Sequence, residues 1–389
     1  SYDRTQQERL LSVDGIAPEK IYYQVAMPEL QGASQPLVIA SKGTLQFHDA
    51  TGLEYTDLDH DVTAIQMMSE RLFGWVQLQK KSNQDKKVAI VYYNHPPGRH
   101  NIGADNLDVP ASLWQILNGL KQKGYNTGSL PKSQEELLDV LQQKGVNLPN
   151  QKDALAKMSK EINRVSKEDY EAYFKTLSKS IQKEMTQGPI GYIHEQIVQA
   201  VQLDKIHLAK DQMAHGMEEI HHLLEGLEHP NRNRAENLFE QLEEAYKVYI
   251  RAPSSETLAL TESLVEAIVD TGIEGLQGWG EIPGKVMVWS DELLIPGVTF
   301  GNVFIGPQPP RGWEINEELL HANLAFPPPH QYLAFYHFLK NDFKTDAIIH
   351  LGRHSTYEFL PRRSVGLLED DYSTIIAGNV PGIYPYIVD

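Results

Sequence analysis

Cysteine is absent from this 389-residue chain. That excludes disulfides, thiolate-held zinc and iron–sulfur clusters, and it fits a reducing, cytoplasmic setting. No apolar run approaches the roughly 20 residues needed to cross a bilayer, and the start SYDRTQQERL has no signal-peptide pattern. An initial Met is missing, and the end, YPYIVD, reads as an interrupted run. A piece of a longer chain is therefore expected, and missing targeting signals say little about the parent. Basic blocks are lacking too: 35 Lys and Arg stand against 52 Asp and Glu, a formal charge of -17. Nothing here offers an electrostatic footprint for a phosphate backbone, so nucleic acid is not an expected partner.

What is present is the composition of an ordinary globular protein with many loops: 41% hydrophobic residues, 28 Gly and 22 Pro. The length exceeds a usual single core, which favours two or more folding units. Four segments are expected. Residues 1–84 combine short apolar runs (IYYQVAMPEL, PLVIA, TLQFHD) with a closing helix, DVTAIQMMSERLFGWVQLQKK, and read as strand-rich. Residues 85–150 open with the strand KKVAIVYYN, a Gly/Pro loop and the helix VPASLWQILNGLKQKG, the start of a βαβ unit. There GYNTGSLP reads as a further strand and turn, and Ser133 to Glu136 as a capping box. Residues 151–273 show helical periodicity rich in Glu, Gln, Lys and His. Residues 274–389 return to short strands, KVMVWSD, TFGNVFIG and DAIIHLG, with a helix entered through PPPHQ. The fold class is thus α/β, with open mixed or parallel sheet domains and a helical insertion.

Nucleotide hydrolysis is excluded by the loops that come nearest to it. In GRHNIG, Ala104 and Asp105 follow the second glycine where a Walker loop needs Lys and Ser or Thr, and in GWGEIPGK, Trp279 occupies the place of the first Gly. Position still matters, because loops at the carboxyl ends of strands line ligand crevices in open α/β sheets. Asn94, His95, Arg99 and His100 are candidates on that ground, with a plain turn as the alternative. His215, Glu218, Glu219 and His222 share a helix face, a metal site or a solvated polar surface with His221 beside it. Pro-rich stretches bring Gln308, Arg311, His321, His330 and aromatic residues into loops that either line a pocket for a large planar ligand or brace the fold.

The richest stretch is DAIIHLGRHSTYEFLP, residues 346–361. His350 and His354 are four residues apart, but Leu351 and Gly352 follow the first histidine and the lead-in is strand-like, so a zinc-protease helix is excluded. The alternative is a crevice at a strand end where His350, His354 and Glu358 serve as acid/base groups or metal ligands. Arg353, Arg362 and Arg363 would suit carboxylates of a ligand.

Together, VAMPELQG, KKVAIVYYNHPPGRHNIGADNLDVPASL, WGEIPGKVMV, PGVTFGNVFIGPQPPRG, PPPHQYLAFY and DAIIHLGRHSTYEFLP resemble the family of CobN and the large H subunit of magnesium chelatase. The resemblance covers roughly a central third of a family member. It implies an α/β protein that binds a tetrapyrrole as substrate and exchanges its central divalent metal, cobalt, magnesium or iron. ATP hydrolysis would fall to separate AAA+ subunits, and this chain would bind no nucleotide. It assigns Glu358 as proton acceptor, His350 and His354 as metal or proton-handling ligands, and Arg311, Arg353 and His330 as groups that position the macrocycle, with Gln308, Asn94, His95, Arg99 and His100 beside them. The sequence departs from the family signature at Ser355, where a Gly is usual, and at Arg362-Arg363, where Gly-Lys is usual. Metal insertion, iron removal from haem, and carriage of a tetrapyrrole without catalysis all stay open.

Overall fold

A computed structural model describes residues 3–33, 35–95, 97–104, 107–148, 151–312, 323–352 and 359–385. The amino-terminal segment begins with α1 (Gln6–Leu11), α2 (Pro18–Ile21), a π-turn and α3 (Met27–Leu30). The apolar run IYYQVAMPEL is thus helical and not a strand: Pro18 and Pro28 sit in first turns, where a missing N–H costs nothing. A hairpin of β1 (Ala40–His48) and β2 (Leu53–His60) follows, with α4 (Val62–Lys80) capped by the Asp61 carboxylate.

The central sheet starts at β3 (Val88–Tyr92), a β-branched run whose five residues are all buried. Next come α5 (Val109–Gln122), capped by Asp108, and α6 (Gln134–Lys144), capped by Ser133. Half of the expected capping box forms, because the Glu136 carboxylate accepts from the Lys132 N–H instead of that of Ser133. GYNTGSLP makes no strand. The Asn126 carbonyl there binds the Asn302 N–H, so this segment braces a turn of the sheet instead of extending the ladder.

Helices dominate the next stretch: α7 (Lys152–Met158), α8 (Lys167–Phe174), α9 (Lys179–Gln187), α10 (Pro189–Gln202), α11 (Ile206–Gly226), α12 (Arg232–Arg251) and α13 (Ser255–Val269). Their apolar stripes meet in one core that includes Ile197, Ile220, Phe239, Tyr246 and Ile268. Within this stretch, β4 (Asn163–Val165) pairs antiparallel with β6 (Glu292–Ile295), which also pairs with β5 (Val288–Trp289), and so ties the helices to the returning chain.

The remaining elements are β7 (Val298–Phe300), β8 (Val303–Pro307), α14 (His330–His337), β9 (Ala347–Leu351), α15 (Tyr372–Ala377) and β10 (Gly382–Ile383). The central sheet has the order β10-β9-β3-β8-β7, parallel except for β7. Strands on either side of the helical stretch therefore form one sheet. Val88, Ile90 and Tyr92 face Leu113, Leu117, Leu137 and Leu141, while Ala89, Val91 and Phe304 face Tyr332, Phe335, Tyr336 and Ile376. Each of the Val, Leu, Ile and Phe side chains contributes about 1.5–3 kcal/mol by leaving water, and helices on both faces are what a parallel sheet requires. No helix among the described residues is long and apolar enough to cross a membrane.

Candidate active site

Strands β8 and β9 flank β3 on opposite sides, so the chain changes winding direction at β3. In open α/β sheets the ligand crevice lies beyond the carboxyl ends of strands at such a point. Three segments leave the sheet there, and backbone bonds hold them together: Gln308 N–H to the Tyr92 carbonyl at 2.7 Å, and Tyr93 N–H to the Leu351 carbonyl at 3.2 Å.

His350 is paired in register with Val91 and shares its face, toward α14. Its ring lies 6.2 Å from that of Tyr336, nearly parallel, and 6.3 Å from that of Tyr384, edge-on. It is 3% exposed, and burial pushes its pKa down to about 3, so the imidazole is neutral around pH 7. Gly352 follows so closely against Tyr93 that a Cβ would stand 2.6 Å from the tyrosine Cβ. Only glycine leaves the sheet at this point without displacing β3.

Gln308 is fixed at both ends of its amide, donating from Nε2 to the Tyr332 hydroxyl at 2.8 Å and accepting at Oε1 from the Tyr336 hydroxyl at 2.9 Å. Asn94 organises the loop after β3: its Nδ2 donates to the carbonyls of Gly98 and Asn101, and its Oδ1 accepts from the Asn147 N–H at 2.8 Å. Asn147 also donates from Nδ2 to the Gln308 carbonyl at 2.6 Å, linking two of the strand-end loops. Its buried Oδ1 has no hydrogen-bond partner among the described residues. Arg99 donates to the Gln142 carbonyl at 2.5 Å, His95 lies with its ring 5.9 Å from Tyr93, and His100 is exposed.

Two other expected positioning residues lie in braced settings. Arg311 is 1% exposed and donates to the carbonyls of Phe359, Asn323 and Phe326. His330, also 1% exposed, is at the amino end of α14. Its Nε2–H donates to the Gly280 carbonyl at 3.0 Å and its Nδ1 accepts from the Tyr170 hydroxyl at 3.2 Å, and burial lowers its pKa to about 4. It borders a cavity of about 190 Å³ with Trp279, Gly280, Gly284 and Lys285.

The arginine pair is engaged inside the protein. Arg362 donates from Nε and Nη2 to Glu184 Oε2, at 3.2 and 2.8 Å, and from Nη2 to Ser180 Oγ; its guanidinium stacks 4.0 Å over the Tyr192 ring. Burial raises the Glu184 carboxyl pKa, against the pull of Arg362 and a hydrogen bond from the Tyr372 hydroxyl. Arg363 pairs with Asp371 at 2.9 Å and donates to the carbonyls of Arg9 and Leu10. These two side chains are spent on internal partners, contrary to the expectation that they suit carboxylates of a ligand.

Arg353, His354 and Glu358 lie outside the described residues, as does His321. Among the described residues no group of three or more His, Asp and Glu is placed to hold a metal. That includes the face of α11, where the Glu219 carboxylate instead accepts from the Leu324 N–H at 2.9 Å. Sequence reasoning missed Asn147, Tyr332, Tyr336 and Tyr384. The spacing of Tyr332 and Tyr336, four apart on one helix, was the available signal; for Asn147, no local pattern distinguishes it from a turn residue.

The sheet order, and the polar side chains of Asn94, Gln308 and buried His350 at the carboxyl ends of β3, β8 and β9, place the chain in the class of open α/β proteins with a switch point at β3. The family model CobN/Magnesium Chelatase matches residues 1–202 and 195–389, so the chain belongs to that family. Among relatives, it is 28% identical over 381 residues to an uncharacterized protein of Methanocaldococcus jannaschii, with 97% of this chain and 23% of that protein covered. It is 26% identical over 385 residues to magnesium-chelatase subunit ChlH of Oryza sativa, covering 98% and 20%, and 24% identical over 376 residues to aerobic cobaltochelatase subunit CobN of Pseudomonas aeruginosa, covering 96% and 23%. In fold it is similar to the catalytic subunit of cobaltochelatase from Mycobacterium tuberculosis, with a TM-score of 0.63 at 21% identity, over 99% of this chain and 24% of that one. The chain spans 20–24% of the length of these proteins, less than the expected third.

Proposed function

We propose that this chain is part of the tetrapyrrole-binding large subunit of a metal chelatase, cobaltochelatase-like, which exchanges the central divalent metal of a tetrapyrrole while separate AAA+ subunits hydrolyse ATP. The observation that carries this reading is a buried, neutral imidazole, His350, held at a strand end at the head of the His/Glu motif of a chain that the family model matches throughout. Inserting a divalent metal removes two pyrrole N–H protons and strips water from the ion, so a base and transient ligands must face the macrocycle. A neutral imidazole offers its lone pair to a metal. In this reading His350 and His354 are the transient metal ligands and Glu358 is the proton acceptor. Gln308 holds the Tyr336 hydroxyl, and the Tyr336 ring stacks beside His350, while Asn147 ties the loop after β3 to the one after β8.

The arginine pair gives no support for reversing the reaction toward iron removal, because Arg362 and Arg363 are consumed by Glu184 and Asp371. A visible-spectrum titration with metal-free porphyrin, haem and a corrin precursor tests the reading. Metal-free ligands are expected to give saturable spectral shifts, and Glu358→Gln to keep them while abolishing cobalt or magnesium uptake in the presence of the ATPase subunits. Absence of binding to every one of these ligands would sink the proposal. Porphyrin fluorescence appearing from haem under reducing conditions would replace insertion by removal, and binding with no exchange in either direction would leave a carrier.

A further inference from the structure

A groove of about 980 Å³ runs along the outside of the helical stretch between α10 and α13, closed at one end by α9. It belongs to no part of the strand-end crevice. On α10 the lining residues Gly191, Glu195, Val198 and Gln202 recur every three or four positions, a single helix face spanning about 16 Å or three turns. The α13 side repeats the arrangement. Val265 and Val269 are half-buried on the floor with Val198, and Glu262, Glu266 and Asp270 stand exposed along the wall.

The charge pattern on that wall is one-sided. On the facing helices Lys183 is already paired with Glu195. Glu262, Glu266 and Asp270 have no ion-pair partner among the described residues. They are four residues apart in turn, so the like charges sit one above another and repel along the free helix. His194, on the same groove, does not offset them: burial lowers its pKa, its Nδ1 is 3.0 Å from the Tyr246 hydroxyl, and it stays neutral at pH 7. No group of three acids or histidines among the described residues is arranged to hold a metal ion. Three turns of groove with a valine floor and an acidic wall match a helix whose apolar stripe faces inward and whose basic residues recur every four positions.

We propose that the α10–α13 groove docks a basic amphipathic helix of a protein partner, with Val198, Val265 and Val269 taking its apolar stripe and Glu262, Glu266 and Asp270 pairing with three cations one turn apart. This surface is independent of the tetrapyrrole reading, because it uses none of the strand-end residues. Charge complementarity of this kind sets partner choice and association rate, and it weakens with salt.

The test uses the full chain and a fluorescein-labelled helical peptide carrying Lys at positions i, i+4 and i+8 and Leu between them, followed by fluorescence anisotropy. Saturable binding is expected, weakened at least about tenfold in the E262K/E266K/D270K variant. A peptide with Glu in place of Lys should show the reverse preference and bind the triple variant better than the parent chain. That exchange also shows the variant to be folded at the groove. Equal binding of the Lys peptide to both proteins, or equally tight binding of a shuffled peptide of the same composition, overturns the proposal. Failure of the Glu peptide to prefer the triple variant overturns it as well.

Discussion

The hairpin β1–β2 sets Leu45, Phe47, Leu53, Tyr55 and Leu58 among polar and charged residues, whereas the strand β3 is wholly apolar or aromatic, and the two meet opposite fates. All five residues of β3 are buried between two helical layers, whereas every residue of β2 is exposed. One face of the hairpin carries Leu45, Phe47 and Leu58, and the other a polar set in which Tyr55 donates to Gln46 and Gln46 to Asp57. The helix α4 continues the contrast: Leu72, Phe73 and Val76 are exposed, and Ala64 is its buried residue. Apolar character alone therefore does not bury a side chain in this molecule. What decides burial is whether another element of the chain covers the face: β3 has β8, β9 and helices on both sides, while among the described residues the hairpin forms a two-stranded sheet of its own, tied to the rest near its start by Lys42 and Ser41.

The sharpest way to break this comparison is to truncate one aromatic from each region. Phe304→Ala, in the sheet core, is expected to lower stability by about 4 kcal/mol, and Phe47→Ala, on the hairpin, by less than about 0.5 kcal/mol, both read from denaturant midpoints. Equal losses would mean that the hairpin is covered in solution. Next in size is the buried ion pair behind the motif. Glu184→Ala is expected to cost about 3 kcal/mol by stranding Arg362, while the double change Glu184→Leu with Arg362→Met recovers most of that loss, because an apolar pair of similar volume strands no charge.

A pH series sharpens the same contrast. The folded-state pKa of His330 is about 4 against 6.5 in the unfolded chain. Between those values the unfolded state binds more protons, so the stability His330 contributes is complete above pH 6.5 and is lost as pH falls toward 4. Replacing His330 by Gln should flatten the slope of stability in that window by about 1 kcal/mol per pH unit. The smallest expected effect is on the hairpin face. Leu45→Lys with Phe47→Lys should leave the unfolding midpoint unchanged within about 0.5 kcal/mol and raise solubility, measured as the concentration at which light scattering begins.

Much of the central sheet was legible because its signals are local. KKVAIVYYN and DAIIHLG are β-branched runs bounded by turns, Asp61, Asp108 and Ser133 cap the helices that follow them, and prolines open α14. Failures came where local pattern and tertiary partner part. IYYQVAMPEL has the apolar content of a strand without the alternation of a half-buried one, and GYNTGSLP has strand-like residues but spends Asn126 on Asn302. The site shows the same division. His350 is expected at a strand end and Gln308 in a Pro-rich loop; His350 lies near the end of β9, and Gln308 directly follows β8. Asn147 became visible only through its bonds to Asn94 and Gln308, residues distant from it in sequence. Nothing in Arg362-Arg363 hinted that partners on α9 and before α15 would absorb both charges.

The pairing of β3 with β8 and β9 carries a consequence for how the molecule comes into being. Val88 of β3 meets Val303 and Ala347 in register, so the strand at the heart of the sheet waits for more than roughly 200 further residues before either neighbour exists. Closing so long a loop adds little equilibrium cost but slows assembly and leaves an apolar strand with two open edges in the meantime. The helices of α7–α13, whose core is largely their own, can form during that interval. The crevice with His350 is then among the last features to appear, since β9 must dock on β3 before Gly352 can turn away from it. On a ribosome β3 would stay uncovered from its own synthesis until β8 and β9 follow it, and yield would depend on what shelters it until the chain returns.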